Sequence, residues 1–248
     1  MVKILLYRDW LNLKKHAISL LLVFAMFPML LHLFISIPLS NVISLDIRYL
    51  NWAAPGIWVT SSGLLAFCIA ILRMKKIKHD SGQLDALLKT PLANSEIVIS
   101  VIISATILGC IQVLVSIALT VLFNNEYLGV KQVSFIFFQL LPLVNFFAIL
   151  GNLMGIFVKD GMTLVSMVLF IFLVLTLSIG SFMPLAHFPV NYVDIVSTFP
   201  LTMIVKNCQL IIANTSSTST YIGPFLTYLI NIFLMLITVA VSHKVFRK

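Results

Sequence analysis

The stretch GNLMGIFVKDGMTLVSMVLF, residues 151–170, decides the fold. Apolar sequence runs from about Val133 to Phe182 with a single interruption, Lys159-Asp160-Gly161. Two charges cannot stay in hydrocarbon, and glycine permits a tight turn, so the run reads as a hairpin of two crossings. That division gives six apolar runs, 17–37, 53–72, 97–123, 133–158, 162–182 and 221–242. Each can cross a hydrocarbon core of about 30 Å, which takes about 20 residues.

The even count agrees with the basic residues. Lys3, Arg8, Lys14 and Lys15 precede the first run, and Arg73, Lys75, Lys76, Lys78 and Lys89 follow the second. Lys159 lies in the hairpin, and Lys244, Arg247 and Lys248 close the chain. Only Arg48, Lys131 and Lys206 of the 16 Lys and Arg residues fall on the opposite side. The positive-inside rule puts the rich side, and with it both termini, in the cytoplasm. An odd number of crossings would destroy the partition.

Composition points the same way. Of 248 residues, 60% are hydrophobic and only 10% are charged, against about 25% charged in an ordinary soluble domain. So few charges cannot build a water-facing surface, and the surplus apolar area needs lipid. The net charge of +8 is accounted for by loop orientation; no basic stripe with interleaved aromatics suggests nucleic acid. Cys68, Cys110 and Cys208 are odd in number and fit neither a disulfide framework nor a metal site.

The segments outside the runs carry their own signals. Residues 1–15 read as an interfacial helix rather than a signal peptide: Asp9 interrupts the charged region and no small-residue cleavage site follows. Val2, Leu6, Trp10 and Leu13 fall on one face, with Arg8, Asp9, Asn12 and Lys15 on the other. Trp10 suits the headgroup region, and Arg8 and Lys14 suit anionic lipid. Residues 183–220 mix Pro184, Pro189 and Pro200 with apolar residues. They are too apolar for a solvated loop and too broken to span, so re-entrant or interfacial helices are expected. Asn214-Thr215-Ser216 matches a glycosylation pattern, a weak signal outside a secretory pathway.

Residues 79–96, HDSGQLDALLKTPLANSE, predict a short cytoplasmic amphipathic helix over about 80–91. Asp80 or Ser81 can cap its start, and Leu84, Leu87 and Leu88 share one face. Asp85 and Lys89 form a favourable i, i+4 pair, and Pro91 stops the helix. On residue chemistry alone it is an ordinary surface helix or a docking helix for a partner.

The chemistry missing from the chain narrows its role. The sequence has no G-x-x-x-x-G-K-[ST] loop for ATP, no H-E-x-x-H, no G-x-S-x-G and no paired carboxylates at catalytic spacing. No Asp, Glu, Lys or Arg sits mid-run, where ion-coupled transporters usually keep one. The mid-membrane polar residues are neutral, among them Gln139, Asn145 and Asn231. They serve either as interhelical hydrogen bonds, each worth about 1 kcal/mol, or as a polar patch on a substrate path. Gly151 and Gly155 form a G-x-x-x-G packing motif. A lone His32 in the first run reads as a packing or boundary residue.

One family gathers these signals. The stretch YLNWAAPGI (49–57) resembles the Y-x-x-F-x-x-P-G-I/L entrance to the second helix of type-2 ATP-binding-cassette exporters. Ala66-Phe67 and Arg73 follow in order, and GQLDALLKTP (82–91) is similar to that family's E-x-G-T-L-E-x-L-L-x-T-P. FMPLAHFP (182–189) and FPLT (199–202) resemble its outer segment. Lys78, His79 and Asp80 occupy the neighbourhood of the first signature glutamate, Gln83 replaces the threonine, and Asp85 replaces the second glutamate.

The resemblance implies an all-α integral membrane protein of six transmembrane helices with both termini inside. Its coupling helix would use Asp80, Gln83, Leu84, Asp85, Leu87, Leu88 and Lys89 to engage a separate ATP-binding-cassette subunit. That subunit would bind ATP and magnesium; none is expected on this chain. A second permease copy or homologue would complete the path, and the site would be a prokaryotic inner (plasma) membrane. An apolar path with neutral polar groups favours lipids, glycolipids or hydrophobic drugs. The competing readings are a flippase or importer of the same fold, an ATP-independent scaffold or channel, and an intramembrane hydrolase, for which no nucleophile–base pair is found.

Overall fold

The computed structural model describes residues 2–15, 17–45, 48–79, 83–90, 93–124, 128–213 and 221–246. Asp80, Ser81, Pro91, the 214–216 tripeptide, Arg247 and Lys248 lie outside these. Of Asn12, Leu13, Asp85 and Leu88 only the backbone is described. Every regular element among the described residues is helical.

Helix α1 (Val2–Lys15) precedes a first span, Ala17–Ser40, made of α2 (Ala17–Leu31), a π-helical turn (His32–Ser36) and α3 (Ile37–Ser40). The second span is α4 (Tyr49–His79), followed by the short α5 (Gln83–Leu88). The third and fourth spans are α6 (Asn94–Asn124) and α7 (Val130–Phe157). The fifth, Gly161–Ser178, consists of α8 (Gly161–Leu173) and a second π turn (Val174–Ser178). Two shorter helices, α9 (Val190–Ser197) and α10 (Pro200–Ile212), lead to the sixth span, α11 (Ile222–Phe246). All six spans are long and apolar enough to cross a membrane.

Local chemistry sets the breaks. Asp160 caps α8, its carboxylate accepting from Thr163 N at 2.8 Å and from the Thr163 hydroxyl at 2.7 Å. The three residues between α7 and α8, Val158 to Asp160, therefore suffice to reverse the chain. Glu96 closes the start of α6 by accepting from Ala93 N at 3.1 Å. Phe199 precedes a proline and is held extended (φ −68°, ψ 129°), while Pro200 fits the first position of α10. The result is a 91° bend between α9 and α10. As a single unit those two helices would be a seventh span; bent so sharply, they form the outer segment as two short helices.

The structure corrects two sequence boundaries. The fifth span ends at Ser178 rather than Phe182, because Gly180 takes a positive φ of 70° that stops the helix. The second helix starts at Tyr49 and continues to His79, so Arg73, Lys75, Lys76 and Lys78 are helical rather than in a loop.

Helix α4 is the hub. In its most apolar stretch 72% of residues are buried, against 17% for the fifth span and 22% for the first and sixth. It packs on α7 through Gly155, where even a Cβ would lie 2.8 Å from the Ile71 carbonyl, and through Gly151, which abuts the Phe67 backbone. The G-x-x-x-G pair thus lets two backbones close on each other. On its other side α4 meets α6 through hydrogen bonds: Trp58 Nε1 donates to Thr120 Oγ1 at 2.7 Å, and the Ser61 and Ser116 hydroxyls meet at 2.8 Å. With no hydrophobic drive between helices in lipid, such contacts and tight packing hold the bundle.

The first span shows how a helix break is repaired. Pro28 has no N–H, so the Phe24 carbonyl one turn earlier loses its helical donor. Gln112 of α6 supplies the missing bond, donating from Nε2 to Phe24 O at 3.1 Å. His32, 3% exposed, stacks on Phe123 with ring centroids 5.4 Å apart, which is a packing role.

Candidate functional site

On the side assigned to the cytoplasm, α1 lies against α6 and α2. Ile4, Tyr7, Trp10 and Leu11 are exposed, and Arg8, Leu11, Lys14 and Lys15 line a shallow groove. Asp9 departs from its sequence assignment to the polar face. It is 7% exposed and turned into the bundle beside buried Leu5. The reason is Arg73 of α4, whose Nη1 lies 3.1 Å from Asp9 Oδ2 and also donates to the Ser104 hydroxyl of α6. One guanidinium therefore ties three helices together. Arg8 also approaches Asp9, at 3.4 Å, but its side chain is 45% exposed.

Two helices are longer than a hydrocarbon core is thick. At 1.5 Å per residue, the 31 residues of α4 and the 31 of α6 each extend about 46 Å, some 15 Å more than a hydrocarbon core. The short α5 sits between them and contacts α4. Leu84 and Leu87 are partly buried against the core cluster, so they fasten α5 to the bundle. Gln83 is half-buried, whereas Ala86 and Lys89 are exposed and form its free face. Lys78, near the end of α4, donates to Ile156 O at 2.5 Å and joins the same end of α4 to α7.

The mid-membrane amides are structural in their contacts. Asn145 accepts from Thr106 Oγ1 at 3.1 Å, and Asn231 donates to Pro142 O at 2.8 Å, joining α11 to α7. Gln139 is fully buried in α7. Asn145 and Asn231 thus sit at two different helix contacts, α6 with α7 and α11 with α7. Asn152, which also bonds across helices, donates to Val98 O at 3.0 Å.

On the opposite side the sequence motifs acquire a physical meaning. Tyr49 donates to Phe182 O at 2.5 Å, and seven residues later Gly56 abuts the Ser181 carbonyl. Both lie on one face of α4, two turns apart. Gln209 of α10 donates to Gly180 O at 3.2 Å, and Ser181 bonds back to Leu175 O and Thr176 O. Two carbonyls of the irregular backbone at 179–183, Gly180 O and Phe182 O, thus accept from side chains, the kind of pairing that non-helical chain in a membrane protein requires. Motif reading did not reveal the partners in this clasp, with its Tyr49–Phe182 bond, in the Asp9–Arg73–Ser104 cluster or in the Gln112–Phe24 bond, although Gln112 itself belongs to the neutral mid-membrane polar residues that read as interhelical hydrogen bonds or a path. Asp9 was nonetheless the lone acid among the basic residues of α1, and Gln112 the lone amide of α6's apolar middle.

Beside the clasp lies a cavity of about 280 Å³. Trp52, Ile179, Leu185, Val193 and Met203 supply apolar wall, and Thr202, Lys206 and Gln209 supply polar atoms. Lys206 is exposed, and Thr202 is 2% exposed. Among the described residues no group of His, Cys, Asp and Glu could hold a metal ion.

The arrangement is that of a membrane-spanning component: a hub of packed apolar spans with a sharply bent pair of short helices. No curated protein matches the chain in a sequence comparison. The family model described as ABC-2 type transporter matches residues 1–213, and so takes in α1, the first five spans and the bent outer pair. Members of that family are permeases that normally work with an ATP-binding cassette subunit. By this match the chain belongs to the ABC-2 type transporter family, as the multi-pass membrane permease component of an ABC transporter.

Proposed function

We propose that this chain is the permease of an exporter that carries a hydrophobic or amphipathic substrate, such as a lipid, glycolipid or drug. Two copies, or this chain with a homologue, enclose the path, and separate ATPase subunits bind ATP and magnesium. The termini and α5 face the cytoplasm of a prokaryotic cell, and α5 is the coupling element.

The observation that supports this reading is the mounting of α5. It is fastened to the core cluster by Leu84 and Leu87 and packs on α4, the most buried span. A push delivered there reaches the α4 hub directly rather than through a loop. Rigid-body motion of packed helices, biased by ATP bound to a partner, then suffices to move the outer segment. A free face of Ala86 and Lys89 leaves room for the partner.

Copurification of the tagged chain with ATP-binding-cassette subunits encoded beside it tests the reading. We expect a stable complex with vanadate-sensitive ATP hydrolysis, and weaker association for Ala86→Arg with the bundle still folded. If no ATPase associates and no such hydrolysis is seen, the reading fails. Orientation is checked separately: Thr198→Cys, on an exposed site, should react with an impermeant thiol reagent from outside in a cysteine-free background. Labelling only after membrane rupture reverses the topology.

A further inference from the structure

We propose that the outer cavity is a binding site for the anionic, phosphate-bearing headgroup of an amphiphile, with the chain of that molecule lying on the apolar wall. The inference deepens the exporter reading, on which it rests, by naming the class of molecule held at the outer end of the path.

Three independent observations meet at the cavity. First, Lys206 is one of only three basic residues on the side assigned to the exterior, and it stands on the cavity's rim. Among the described residues it pairs with no carboxylate. Second, Thr202, one turn earlier on α10, lines the same cavity and is 2% exposed, yet its hydroxyl has no hydrogen-bond partner. A buried hydroxyl without a partner is costly, and a ligand oxygen would relieve that cost. Third, α10 begins beside the cavity and no side chain caps its start; Pro200 has no N–H and Met203 N bonds to Phe199 O, so the Leu201 and Thr202 amides are the ones without intrahelical acceptors. Uncapped amides at a helix N-terminus favour an anion.

The Lys206 ammonium and the Thr202 hydroxyl line one cavity, and with the two free amides at the start of α10 they make a donor set that suits the multiple oxygens of a phosphate. The rest of the lining is apolar, from Ile179 and Leu185 to Met203. A small hydrophilic anion would leave that wall unoccupied, whereas an acyl or polyprenyl chain would cover it. The volume of about 280 Å³ accommodates a headgroup and the first part of a chain. Trp52 borders the site, an aromatic residue of the kind enriched where headgroups lie.

The test is native mass spectrometry of the full chain released from neutral detergent, titrated with phosphatidylglycerol, with phosphatidylcholine of the same chains, and with inorganic phosphate. We expect one retained phosphatidylglycerol at low lipid concentration and weaker retention of phosphatidylcholine. Losing the charged hydrogen bond in Lys206→Gln should weaken the tight site about tenfold or more, while Lys206→Arg stays within about threefold. Met203→Trp, which fills the cavity, should also lose the lipid; size-exclusion profiles report folding for each variant. Equal retention by wild type and Lys206→Gln, or equal retention of the two lipids, overturns the site. Tight capture of inorganic phosphate with no retained phosphatidylglycerol overturns the amphiphile assignment. ATPase copurification is measured on the same samples. A retained ATPase with no lipid selectivity sinks this site alone, and retained lipid with no ATPase sinks the exporter reading alone.

Discussion

Replacing Asp9 by alanine should loosen α1 from the bundle far more than its place in a short N-terminal helix suggests. The carboxylate lies 3.1 Å from Arg73, and the two side chains are 11% and 19% exposed. At an effective dielectric constant of about 20, two unit charges at that separation attract by about 5 kcal/mol, most of which is offset by their desolvation. Removing one partner leaves the other buried without its counter-charge, which costs about 3–5 kcal/mol at fully buried sites. Here both groups keep some solvent, so about 2–3 kcal/mol is expected. The exposed Arg8 contact to the same carboxylate, at 3.4 Å, should be worth less than about 1 kcal/mol. Replacing both buried charges, as in Asp9→Leu with Arg73→Met, should recover most of the loss, because no orphan charge remains. The assay is the temperature at which half the detergent-solubilised protein leaves the monodisperse size-exclusion peak, with protease cleavage of α1 as a local readout. The order expected is wild type and Arg8→Gln highest, the double variant next, and Asp9→Ala lowest. If Asp9→Ala matches Arg8→Gln, or the double variant is no better than Asp9→Ala, the reasoning about a buried cluster is refuted.

Two further outcomes follow from single contacts. Gln112→Ala strips the Phe24 carbonyl of its only substitute donor and should cost about 1–2 kcal/mol by the same thermal assay; in a Pro28→Ala background, where the helix regains its own N–H, the loss should be markedly smaller. At the fourth–fifth turn, hydrogen bonds from Thr163 hold the Asp160 carboxyl below its ordinary value. Its contribution to the turn is therefore present above the unfolded carboxylate pKa of about 4 and fades as pH falls through the lower folded value. A carboxyl-carbon NMR titration should place Asp160 below the other aspartates, and Asp160→Ala should lower thermal stability at pH 7 more than Asp160→Asn, which keeps an acceptor.

The spans were legible because their signal is additive over about 20 residues and insensitive to any one of them. Lys159-Asp160-Gly161 could be read as a turn for the same reason: two charges in hydrocarbon have one remedy. Gly151 and Gly155 announced a close contact but not its partner, which only the packing on α4 supplies. Asp9 was misassigned because helical periodicity ranks residues by polarity, and an acid with a distant Arg73 looks the same as an acid facing water. The end of the fifth span was overrun because Ile179, Phe182 and Met183 remain apolar; only the backbone angle at Gly180 marks the stop. Asn145 and Asn231 illustrate the converse limit. Their spacing was compatible with a path or with helix contacts, and their partners Thr106 and Pro142 place them in helix contacts.

The clasp at 179–183 sets the terms on which the outer helices can swing. If α9 and α10 turn outward as a unit, Gly180 is the natural axle, since its backbone already occupies a conformation denied to bulkier residues. Tyr49 and Gln209 then act as stops on either side of that axle, one mounted on the hub and the other on the moving part. A Tyr49→Phe change would remove a single stop and leave the axle intact, converting a latched shutter into a loose one without altering any span.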